Sequence, residues 1–363
     1  MAIVATLEER ILSILGDSAI VGADICAGVG DQVVVECRSL QHAALRAVET
    51  PLFLTASLTK PLVALLVVQL AAEGAWGLNE PVRNFLPAFR RGPLRRITIR
   101  HLLTHTSGLP DMLPENEQLR AEHASVQQFA EVTAVQNPAF LPGEDCSYCS
   151  MGFAVLQLMI EQISGRSLPC YLRERVLEPL QMVDTALGIP SDAEAWWRRT
   201  VPCQLPPGQP VDCDWNWNSR YWRSLGAPWG GLTSTAGDLA GLLQCLLRQG
   251  TDAAGRPVFA AEVVKAATSN QTQHFSALSA EHRERRPWGL GWRLNWPDHT
   301  GCFSDFLGSE AWGHWGATGT QMWAECATQR WCVILTEQPW EQSQPIIQRI
   351  SNLIAASLPT GLR

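Results

Sequence analysis

The rhythm of apolar and polar positions changes along the chain, and each rhythm predicts a different kind of element. The opening MAIVATLEERILSILGD sets Ile11, Leu12 and Leu15 at helical spacing after Glu8 and Glu9, which predicts an amphipathic surface helix. ADICAGVG and QVVVECRSL then alternate with a period of two around a Gly-Asp turn, which predicts an antiparallel hairpin. From Ser57 the run SLTKPLVALLVVQLAAEG is helical, with Pro61 tolerated in its first turn and a glycine at its end. Residues 81–286 read as helix and loop, with HLLTH, SVQQFAEVTAV, FAVLQLMIEQISG and TAGDLAGLLQCLLRQG separated by Pro/Gly-rich stretches. Strands return in WGLGWRLNW, QMWAECA and RWCVILTEQ, before a closing helix QPIIQRISNLIAASL. That order predicts an α/β (α+β) architecture, an antiparallel sheet built from both chain ends and flanked by helices. We expect a sheet domain of residues 1–85 plus 287–363, a mostly helical domain of residues 86–286, and a cleft between them.

Composition narrows the partners. The chain has 363 residues, 46% hydrophobic and 17% charged, with a formal charge of −7, which argues against nucleic acid or an anionic membrane as partner. The longest apolar stretch, residues 61–72, is too short to span a bilayer, and the N-terminus has no basic lead. Eleven cysteines, scattered and odd in number, fit reduced thiols better than a disulfide scaffold, so a cytoplasmic location is expected. No phosphate loop, dinucleotide fingerprint or metal-ligand spacing stands out, so no cofactor or metal is expected. Oligomeric state is left open. Two scarcities matter: Lys60 and Lys265 are the only lysines beside 26 arginines, and Tyr148, Tyr171 and Tyr221 are the only tyrosines.

Ser57 and Lys60 stand at i and i+3, so on a helix the amine reaches the hydroxyl. An arginine in that place would not accept a proton, whereas a buried lysine can. Alone, S-x-x-K reads more readily as an N-cap serine followed by a surface lysine. Its company changes that reading: Tyr148-Cys149-Ser150 lies directly before an amphipathic helix, and His314-Trp315-Gly316 lies on an expected strand. Together they resemble the S-x-x-K, Y-x-N and K-T-G elements of the serine β-lactamase and penicillin-binding-protein superfamily. The resemblance is closest to its class C-like branch of esterases, D-aminopeptidases and D-Ala carboxypeptidases, where H-x-G is common as the third element. ITIRHLLTHTSGLP, GLNEPVRNFLPAF, GGLTSTAGDLAGLLQ and GHWGATGTQMW extend it from about residue 23 to 337.

The resemblance implies the β-lactamase-like fold and a cofactor-independent serine hydrolase. Ser57 would form an acyl-enzyme and Lys60 would bond to it. Tyr148 would take the serine proton, in a field supplied by Lys60 and His314. The backbone N–H groups of Ser57 and Ala317 would form the oxyanion hole, with Gly316 leaving room for substrate. Two departures bear on substrate. Ser150 replaces an asparagine, with less reach toward Lys60, and Trp315 replaces a small hydroxyl residue, filling the place where a β-lactam or D-Ala carboxylate is bound. They favour a small ester, with D-amino-acid amides or β-lactams as alternatives, and a catalytically weak binding protein as an alternative of another class. Trp215, Trp217, Trp222 and Trp229 form either an aromatic wall for substrate, Trp222 foremost, or ordinary packing. His101 and His105 read as capping or core residues rather than zinc ligands. Cys146 and Cys149 read as incidental thiols, whose only further expectation is a disulfide constraining the tyrosine loop.

Overall fold

The computed structural model describes residues 6–41, 48, 50–285, 287–296 and 302–360. The opening helix α1, Leu7–Gly16, starts at a capping box in which Thr6 and Glu9 satisfy each other's backbone N–H groups. The hairpin forms where the alternation places it, as β1 (Gly22–Val29) and β2 (Gln32–Leu40). A bulge at Ala27/Gly28 bends it, and a side chain on Gly28 would meet Gln32 O at 2.0 Å. The remaining strands are β3 (Phe53–Leu54), β4 (Ala186–Leu187), β5 (Leu232–Ser234), β6 (Arg293–Leu294), β7 (Trp312–Gly316), β8 (Thr320–Glu325) and β9 (Arg330–Thr336).

Six of them make one antiparallel sheet, in the order β2-β1-β9-β8-β7-β6, so the two chain ends pair directly through β1 and β9. β1 is buried along its whole length because it is paired on both edges and covered on both faces, whereas β2 is an edge strand whose residues are largely exposed. On one face, Ile11 and Leu15 of α1 and Ile347, Ile350 and Ile354 of the C-terminal helix Trp340–Ser357 pack with Ile25, Trp323 and Ile334. On the other, Cys26, Met322, Trp331 and Val333 pack into a larger core shared with the helices. At its centre lies helix α2, Thr59–Ala72, apolar on nearly every side and buried accordingly.

The structure corrects two expectations. The segment WGLGWRLNW is mostly not a strand: only Arg293–Leu294 pair, because Gly289 closes a turn onto Trp292 O, and Gly291, at φ 74°, donates to Leu103 O. Conversely, residues 81–286 are not only helix and loop, since β4 and β5 join β3 in a three-stranded sheet beside the start of α2. Among the described residues, no helix is long and apolar enough to cross a membrane.

Candidate active site

Ser57 sits in the tight turn Ala56–Leu58, between β3 and α2, rather than inside the helix. Ala56 adopts φ 47°, a left-handed conformation costly for a residue with a side chain. The surroundings impose it. Thr59 Oγ1 donates to Ala56 O at 2.7 Å and accepts from Leu232 N at 3.0 Å, tying the turn to β5. Thr318 Oγ1 donates to Leu54 O at 2.6 Å and Thr320 Oγ1 to Thr55 O at 2.8 Å, tying it to the β7–β8 turn. The approach is so close that a side-chain carbon on Gly316 would lie 2.3 Å from Thr320 Oγ1 and 2.5 Å from Thr55 O. Gly316 is therefore required by contact, and it brings the Ala317 backbone to the cavity that Ser57 lines. Sequence reasoning passes over Thr318 and Thr320; a threonine on either side of Gly319 is the signal that marks them.

Lys60 is fully buried one turn on. Its Nζ donates to Ser57 Oγ at 2.9 Å and to Trp229 O at 2.8 Å. The second bond goes to a backbone carbonyl rather than to Ser150, whose hydroxyl has less reach than an asparagine amide. Burial lowers the Lys60 pKa from 10.5 to about 7, against a weaker upward pull from Asp111. A large neutral fraction exists at neutral pH, and in that form the Ser57 hydroxyl donates to Nζ instead.

The Tyr148 loop is tied to the segment after the His101 helix. Ser147 N donates to His105 O, Cys149 N to His105 Nδ1 at 3.1 Å, and Ser150 N to Asp111 Oδ1 at 3.0 Å. The Tyr148 ring lies 4.7 Å under Lys60 Nζ and 4.6 Å from the His105 ring. Its Oη is buried without a hydrogen bond of normal geometry, Ser57 being near enough to favour the phenolate slightly. Burial dominates and pushes the phenol well above 10.0. His314, on β7, donates through Nδ1 to Trp315 O at 2.7 Å, and burial holds its pKa well below 6.5. A neutral imidazole supplies no cationic field, so the expectation that His314 helps lower Tyr148 is corrected.

One cavity of about 330 Å³ is lined by Ser57, Tyr148, Ser150, Trp222, Trp315 and Ala317. Lys60 reaches it through Ser57, and Gly316 sits directly behind it. Trp315 stacks on Trp340 at 4.8 Å and lies parallel to Tyr148 at 6.3 Å. His314 opens instead on a second cavity of about 260 Å³, which shares Tyr148 and Trp315 and adds Trp288, Trp296 and Arg293. His101 is a capping residue, accepting from Thr98 N, and His105 is buried in the core but carries the tyrosine loop. Neither Cys146 nor Cys149 is in a disulfide. Burial pushes Cys149 up to about 12, which leaves it a poor partner for oxidation.

The site thus holds a hydroxyl against a buried amine, beside a tyrosine and a glycine-backed turn, on an antiparallel sheet covered by helices. The chain belongs to the Beta-lactamase family, whose profile matches residues 7–347. It is 34% identical to Esterase EstB of Burkholderia gladioli over 151 residues, 38% of each protein. It is also 34% identical to Penicillin-binding protein 4* of Bacillus subtilis strain 168 over 138 residues, 37% of this chain and 30% of the relative. The matched stretch spans about a third of the length of these curated relatives. A penicillin-binding protein homologue from Caulobacter crescentus superposes with a TM-score of 0.77 at 21% identity, covering 99% of both chains. EstCE1, a hydrolase with promiscuous acyltransferase activity, superposes with 0.74 at 18% identity, covering 96% of this chain and 98% of its own.

Proposed function

We propose that the protein is a serine hydrolase that forms an acyl-enzyme on Ser57 and prefers small esters. The observation that carries this is the 2.9 Å contact between Ser57 Oγ and a buried Lys60 whose pKa is brought down to about 7. As Oγ attacks the substrate carbonyl, its proton passes to neutral Lys60 Nζ, and the Ser57 and Ala317 N–H groups face the developing oxyanion. Tyr148, kept protonated by burial, hydrogen-bonds the leaving oxygen as that oxygen takes the proton from Lys60, so the role of base that the resemblance gives to the tyrosine falls on Lys60. Water then attacks the acyl-enzyme with the same groups acting in reverse.

Preference for esters over β-lactams or D-Ala peptides is supported by Trp315. Its indole, fixed against Trp340, lines the wall where a carboxylate next to the scissile bond would need a donor. Trp222 lines the same cavity, which supports its role as an aromatic wall. The division into residues 1–85 plus 287–363 and 86–286 is part of this proposal: Ser57 and Trp315 come from the first unit, Tyr148 and Trp222 from the second. The test is kcat/KM for p-nitrophenyl acetate and butyrate against a cephalosporin. We expect the best ester to exceed the cephalosporin by about 100-fold or more, the scale on which a missing polar partner discriminates. Comparable values would refute the ester preference.

A further inference from the structure

We infer that the tryptophan-lined end of the catalytic cavity is a subsite for a carboxylate carried on the substrate away from the scissile bond, with Arg120 as its cation. The inference rests on the hydrolase reading and names its substrate class. Arg120 lies on the short helix Asn116–Ala121, is 5% exposed, and lines the cavity that Ser57 lines. Its Nε and Nη2 donate to Trp215 O at 3.2 and 2.7 Å. The guanidinium stands 4.2 Å from the Trp222 ring centre and 5.2 Å from that of Trp215. No described carboxylate forms an ion pair with it, although Glu117, one turn back on the same helix, feels its charge. A buried cation without an acid is costly, and one carbonyl with two ring faces compensates it only in part.

The neighbouring wall offers the rest of a site. Trp229, Asn116 and Gln209 line the same cavity, and Trp229 Nε1, Asn116 Oδ1 and Gln209 Oε1 are buried without hydrogen-bond partners. The oxygen and nitrogen of each amide exchange by a half-turn, so both amides can present N–H groups. A guanidinium fork with an indole and two amide donors matches a planar carboxylate. Asp111 and Glu341 line the same cavity and disfavour a doubly charged phosphate. Lys60 is committed to Ser57 and Trp229 O, and among the residues lining the cavity Arg120 is the cation an extended acyl chain would reach.

The test compares p-nitrophenyl monoesters of succinic, glutaric and adipic acid with the same esters methylated at the free carboxyl. Wild-type protein should show an anionic-to-neutral kcat/KM ratio of about 10 or more at one chain length. Arg120→Met should bring that ratio to about one, and Arg120→Lys, which keeps charge but loses the fork, should fall between. Calorimetry of adipic acid mono-anilide binding to Ser57→Ala, with and without Arg120→Met, reads the subsite without turnover and should show binding only with Arg120 present. A ratio near one at every length, or anilide binding independent of Arg120, overturns the subsite. If no ester is turned over while anilide binding still depends on Arg120, the subsite stands and the hydrolase reading fails.

Discussion

Two cavities meet at Tyr148 and Trp315, and they differ in what they can do. The front cavity holds Ser57, the Ala317 backbone, Ser150 and Arg120. The rear one holds Trp288, Trp296, His314 and Arg293 but no serine beside a lysine. Both press on the same phenol. Burial raises the phenol's pKa, with Arg293 of the rear cavity pulling it back down, while burial lowers the neighbouring Lys60. One desolvating environment thus drives two groups apart, leaving an amine that can accept a proton and a phenol that keeps one.

If that contrast is right, the front substitutions should be the most damaging. Lys60→Arg preserves charge and removes the proton acceptor, so acylation measured by stopped-flow should fall by about 1,000-fold or more, whereas Lys265→Arg should leave it unchanged. Gly316→Ala forces a methyl into the 2.3–2.5 Å contacts behind the oxyanion site. It should lower activity by about 100-fold and the Tm by several degrees, read by thermal unfolding. Tyr148→Phe keeps the shared ring and loses only Oη; a drop of about 100-fold in kcat with little change in KM is expected.

The pH responses are smaller and separate Lys60 from the buried histidines. Acylation should rise through about pH 7 as Lys60 loses its proton. Because the folded Lys60 pKa of about 7 lies below the unfolded 10.5, the unfolded chain binds more protons between them, and this group's contribution to stability rises with pH there. His105, lowered to about 3, and His101, lowered to about 4, act in a different window: stability falls as pH drops below their usual 6.5. A Tm series from pH 7 to 4 should therefore decline, more gently in His101→Gln.

Much of this was readable from residue order. The hairpin, α1, α2 and the closing helix follow from periodicity, since each buries one definable face or is apolar throughout. Ser57, Lys60 and Tyr148 stand out because S-x-x-K, Tyr148-Cys149-Ser150 and His314-Trp315-Gly316 occur together in the order the resemblance requires, whereas the scarcity of lysine and tyrosine alone decides nothing. The small sheet of β3, β4 and β5 escaped because strands of two or three residues carry no period. The broken 288–296 segment escaped because its glycines are imposed by contacts with α2 and Leu103, remote in sequence. The neutrality of His314 and the exposure of Arg120 to the front cavity depend on three-dimensional burial, which spacing does not encode. Asp111, which anchors the Tyr148 loop through Ser150 N, lies 39 positions from its partner and was invisible for the same reason.

The central claim, that Ser57 is a nucleophile activated by a buried Lys60, is tested most directly by labelling with a fluorophosphonate followed by peptide mass spectrometry. One adduct on Ser57 is predicted, formed faster as pH rises through about 7, lost in Ser57→Ala and strongly slowed in Lys60→Arg. No adduct, or an adduct that persists in Ser57→Ala, would contradict the account.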